Sequence, residues 1–103
     1  MSIREIRVLS EAADDLDLGR AFYENQEPCL GAYFWDSLLA DIESLVVYAG
    51  VHNRVEGYHR LLAKRFPYAV YYQLGADVVD VIAVLPLRRD PTWLAGVLHE
   101  RSA

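Results

Sequence analysis

Residues 60–93, RLLAKRFPYAVYYQLGADVVDVIAVLPLRRDPTW, decide the fold. Tyr68–Leu74 and Val78–Leu85 are rich in β-branched and aromatic side chains, which suit a pleated, packed surface. Gly75-Ala76-Asp77 between them makes a short turn, so the two runs form a β-hairpin. Val78–Leu85 is almost continuously apolar, the mark of a strand covered on both faces in the middle of a sheet. Pro86 has no amide proton for a ladder, so pairing stops there. Asp90-Pro91 marks a helix start, with Asp90 as the cap and Pro91 at the first helical position. Trp93, Leu94, Val97 and Leu98 give that helix an apolar face.

Cationic pairs flank the hairpin, Lys64-Arg65 before it and Arg88-Arg89 after it. Antiparallel pairing brings the two ends together. Four like charges there repel one another, which is easier to understand if an acidic partner or a phosphate is bound. The rest of the chain is acidic. Residues 1–56 set four arginines against eleven Asp/Glu, residues 57–103 set six Lys/Arg against four Asp/Glu, and the net charge is −5. Phosphate neutralisation supplies most nucleic-acid affinity, so any nucleic-acid contact is confined to the second half.

Upstream, Ile3–Leu9 alternates as a strand with Arg4 and Arg7 outward. Ser10 is placed to cap a first helix running to about Asn25, with Ala13, Leu16, Arg20 and Tyr23 on one stripe. After Glu27-Pro28 a second helix runs from about Cys29 to Ala49. Leu30, Phe34, Leu38, Ile42, Leu45 and Ala49 recur at three- or four-residue steps, with Asp36, Asp41 and Glu43 off that stripe. Gly50 suits a left-handed helix end. Tyr58–Ala63 is a further strand with Tyr58 and Arg60 on one face. The expectation is an α+β fold of order β-α-α-β-β-β-α, a small, mainly antiparallel sheet packed by a helical hairpin.

The 103 residues are enough for one domain, spanning 1–103. No apolar run approaches the ~20 residues of a membrane span, and Met1–Glu5 lacks a secretory apolar core. Cys29 is alone, so it forms no internal disulfide and no cysteine zinc site. His52, His59 and His99 are not spaced as a helical metal pair. A cytoplasmic protein with no metal, no cofactor and no membrane partner is expected.

The order of elements, together with Arg65–Tyr72, Val81–Leu85, Arg88–Pro91 and Trp93, resembles the RelE/ParE superfamily of type II toxins, especially its plasmid stabilisation proteins. Ala13–Leu16, Phe22-Tyr23 and Gly31 with Phe34 also stand where such chains have them. The resemblance implies a toxin held in check by a cognate antitoxin. It leaves two targets, since RelE-like members cut mRNA on the ribosome and ParE-like members block DNA gyrase. A non-toxic domain of the same fold is a third reading, because fold alone does not give function.

A metal-independent endoribonuclease needs a group to take the 2′-OH proton and cations to steady the phosphorane. Arg60, Lys64, Arg65, Arg88 and Arg89 are the candidates. Ala69 stands where the resemblance places a strand arginine, and Pro86 where many relatives have a histidine. His59 and Arg60 are adjacent in a strand and point to opposite faces, so they do not share a site. A gyrase-type target needs only a rigid surface with anchors, and Arg88, Arg89 and Trp93 supply it. The acidic balance favours this reading over docking on a ribosome. The stripe of the second helix is expected to cover the chain's own sheet, leaving Tyr58, Tyr71 and Trp93 to receive an antitoxin segment. A small homo-oligomer is compatible with the sequence.

Overall fold

The computed structural model describes residues 2–102. In chain order the elements are β1 (Glu5–Val8), α1 (Ser10–Gln26), α2 (Leu30–Glu43), the one-turn α3 (Leu45–Tyr48), β2 (Arg54–Val55), β3 (Tyr58–Leu62), β4 (Tyr68–Leu74), β5 (Val78–Pro86) and α4 (Pro91–Arg101). The strands form one sheet of order β1-β5-β4-β3-β2. β1 runs parallel to β5, and the other pairs are antiparallel. The α+β architecture is the expected one, with a two-residue strand added and the expected second helix divided at Ser44 into α2 and α3.

β5 lies between β1 and β4, as its almost continuously apolar run suggests. One sheet face carries Leu61, Val70, Tyr72, Val79, Val81 and Val84. The hairpin α1–α2 covers it with Ala12, Leu16, Phe34, Leu38 and Ile42, and Leu45 of α3 joins them. The other face carries Tyr58, Ala69, Tyr71, Ile82, Ala83 and Leu85, and α4 seats Leu98 there. Tyr58 and Tyr71 are 3% and 1% exposed. The chain's own last helix therefore occupies the surface assigned to an antitoxin around these two tyrosines. Of the three residues named for it, only Trp93 reaches an open surface.

Several local expectations shift. Ser10 is the first residue of α1 and caps nothing; Leu9 precedes the helix in an extended conformation. The buried face of α1 is Ala12, Asp15, Leu16 and Gly19, rotated slightly from the expected stripe: Leu16 and Tyr23 pack on the core, whereas Arg20 is exposed. Asp41 lies inside rather than off the apolar stripe of α2, at 4% exposure. Its carboxylate accepts the Lys64 amide at 3.1 Å, which fixes the start of the β3–β4 connection. The Glu24 carboxylate accepts the amides of Cys29 and Gly31, both at 3.0 Å. This joins the hairpin helices and supports Cys29 at φ 73. Gly50, at φ 95, follows α3 as its sequence position suggests.

Candidate functional site

β1 stops at Val8, opposite Val81, so the last residues of β5 have a strand neighbour on one side only. A side-chain pair replaces the missing strand. Asp15 Oδ2 of α1 accepts the Val84 amide at 2.9 Å, and Arg101 Nη1 of α4 donates to the Ile82 carbonyl at 3.2 Å. The two side chains bond each other, Arg101 Nη2 to Asp15 Oδ1 at 2.9 Å and Nη1 to Oδ2. The Val84 amide and the Ile82 carbonyl thus each meet a charged partner where solvent is mostly excluded. The fork also ties α1, β5 and α4 together.

Beside this fork a groove of about 700 Å³ opens between α1 and α4. One wall is α1, with Leu18, Phe22 and Tyr23; Tyr68 and Pro86 lie at the strand ends; Arg88, Arg89 and Trp93 make the other wall. Leu18 and Phe22 are 72% and 54% exposed, four residues apart on one helix. Exposed apolar side chains beside cations mark a surface built to be covered. The Arg89 guanidinium lies over the Trp93 ring, 3.8 Å from its centroid. That stacking presents a cation and an aromatic edge as one unit.

The electrostatics define what the groove can do. Burial raises the pKa of Tyr23 against the opposing pull of Arg88. Burial also raises Tyr68, helped by Tyr23 and Asp15. Both phenols stay neutral at physiological pH. Asp15 is committed to Arg101 and Val84, and no histidine lines the groove among the described residues. The groove therefore offers cations, aromatic faces and neutral hydroxyls, with no evident group to exchange a proton near pH 7.

Of the residues chosen from sequence, Arg88, Arg89 and Trp93 come together here. Lys64 and Arg65 are exposed in the β3–β4 connection, outside the groove lining. The four cations thus divide into two pairs, even though Leu87 N and Pro67 O join the strand ends at 2.8 Å. Arg60 lies beside Tyr71 on the sheet face that α4 packs against. His59 faces the other way and stacks on Tyr72. Sequence reasoning missed Leu18, Phe22, Tyr23 and Arg101 as groove residues. The signal for the first two was an apolar pair at i, i+4. Arg101 carried no signal, since its partner Asp15 is 86 positions away.

The sheet order, with a helical hairpin on one face and a C-terminal helix on the other, defines a RelE/ParE-like fold. A solved chain from the chromosomal ParDE toxin–antitoxin system of P. aeruginosa is similar, with a TM-score of 0.73 over 82% of this chain and 96% of that one. Sequence identity is 16%, so the likeness is one of fold. No family model matches the chain. No curated protein matches it in sequence. No helix of the described residues is long and apolar enough to cross a membrane.

Proposed function

We propose that this chain is the toxin of a type II toxin–antitoxin pair, working in the cytoplasm by binding a protein target such as DNA gyrase. The observation that carries this reading is the groove itself: anchor residues of the kind that dominate protein interfaces, with no proton-transfer group beside them. Arg88, Arg89 and Trp93 are its target-binding residues. The ParDE likeness supports an antitoxin partner. An acidic amphipathic segment complements a groove with Phe22 and Leu18 on one wall and two arginines on the other.

Inducing the chain while following mRNA integrity and DNA supercoiling separates the targets. Altered supercoiling or gyrase-linked DNA damage with intact mRNA is the expected result. Ribosome-dependent cuts within codons, lost on Arg89→Ala, would establish endoribonuclease activity instead. Neither effect from folded protein would mark a non-toxic domain of this fold. For the antitoxin, Phe22→Ala is expected to weaken binding of the cognate antitoxin by about 2 kcal/mol, a hot-spot loss. Unfolding should be unchanged, because Phe22 is exposed in the free chain. Calorimetric titration reads the first quantity and thermal denaturation the second.

A further inference from the structure

The corner of the sheet at β2–β3 holds a second device, away from the groove. Tyr72 is fully buried, and its hydroxyl accepts the Gly50 amide at 2.9 Å. The same oxygen lies 2.6 Å from His52 Nδ1. His59 Nδ1 lies 2.8 Å from the His52 carbonyl, and the His59 ring stacks on Tyr72 at 5.1 Å between centroids. Tyr72 on β4 and His59 on β3 therefore grip residues 50–52, the link between α3 and β2.

Hydrogen-bond roles fix the protons. A carbonyl only accepts, so His59 donates from Nδ1, and it does so whether neutral or charged. The Tyr72 oxygen accepts from Gly50, and the acceptor within reach of its own buried proton among the described residues is His52 Nδ1. His52 fills that role only while neutral. Protonation puts a hydrogen on Nδ1, and the buried phenol proton loses its acceptor. The two histidines are thus unequal: protonation keeps the bond of His59 and breaks that of His52.

We infer that Tyr72, His52 and His59 form a pH-sensitive clasp that holds residues 50–52 on the sheet near neutral pH and releases them under mild acid. The groups facing His52 are Tyr72 from β4 and His59 from β3. Arg54 of β2 is two positions along and exposed. No carboxylate bonds either imidazole ring among the described residues, so nothing there stabilises the charged form of His52. Burial lowers the pKa of His52, and His59 lowers it further. The sign follows: the unfolded chain takes up this proton at higher pH than the folded one. The clasp's contribution is complete above the ordinary histidine range, about pH 6.5, and is lost as pH falls below it.

Amide exchange at Gly50, corrected for the intrinsic rate, tests the inference on the intact chain. Protection should fall several-fold, by up to about tenfold, between roughly pH 7.5 and 5.5. His52→Asn places an amide oxygen near the position of Nδ1 and does not titrate, so its protection should stay level across the same range. Tyr72→Phe should show low protection at both pH values. Nitrogen-15 shifts of the wild-type imidazoles need no variant and should find His52 Nδ1 bare near pH 7.5. Level protection in the wild type, an equal fall in His52→Asn, or a proton on Nδ1 would each overturn the clasp.

Discussion

Asp15→Ala is expected to destabilise the fold by about 3–5 kcal/mol, the cost of leaving a buried charge without its partner. The side chains of Asp15 and Arg101 are 9% and 14% exposed, so solvent cannot take over either role. Alanine would strand the Arg101 guanidinium and the Val84 amide together. Glu11 offers Arg101 only a longer contact, 3.7 Å at Nε, from an exposed position. For a domain of this size the loss corresponds to a fall in Tm of roughly 15 °C or more. Asp15→Asn keeps an acceptor for Val84 and should cost less. Adding Arg101→Ala to Asp15→Ala should cost little further, because the partner is already broken. Urea unfolding of the three variants checks the ordering. A loss under about 1 kcal/mol for Asp15→Ala would show that the fork behaves as a surface ion pair.

Phe34→Ala should cost a similar amount, about 3–5 kcal/mol. Phe34 is fully buried and meets Tyr23, Phe66 and Tyr68, with ring centroids 5.2, 5.1 and 4.9 Å away. It also explains a glycine inside α1. A Cβ on Gly19 would lie 2.4 Å from Phe34 Cζ, and the surrounding rings leave Phe34 nowhere to go. In the wild type, Gly19→Ala gains about 1 kcal/mol of helix propensity against an overpacking cost of about 1–3 kcal/mol. In the Phe34→Ala background the obstruction is gone. There Gly19→Ala should become neutral or stabilising by up to about 1 kcal/mol. A double-mutant cycle by chemical denaturation reads this coupling. Strict additivity would mean that ring and glycine do not compete for the same space.

The elements that announced themselves in the sequence are those whose signals are local. Tyr68–Leu74 appears with the expected bounds, and Val78–Leu85 runs one residue further, to Pro86. Asp90 caps α4 as its position suggests, accepting the Thr92 amide at 2.8 Å. The apolar stripe of α2 faces the sheet. What stayed hidden depends on partners distant in sequence. Asp15 and Asp41 look like members of a solvated acidic coat, yet each caps a backbone amide, 69 and 23 positions away, and is buried for that reason. β2 has only two residues, and its turn, Glu56-Gly57, uses a glutamate at φ 54 in place of the usual Asn or Asp. Arg88 and Arg89 follow the end of β5 and Trp93 stands in the first turn of α4, positions that the proline and cap signals of the sequence place. Leu18 and Phe22 became meaningful only once α4 stood opposite them.

The most direct measurement is the growth effect of the Arg88→Ala/Arg89→Ala double variant on induction, read beside its thermal unfolding. Both arginines are exposed, and the Arg89–Trp93 stacking contributes about 1 kcal/mol at most. The variant should therefore remain folded, with stability within about that margin, and lose its toxicity. A folded double variant that still arrests growth as strongly as the wild type would show that the groove is not the working surface. One that unfolds would show that the two arginines hold the structure together instead.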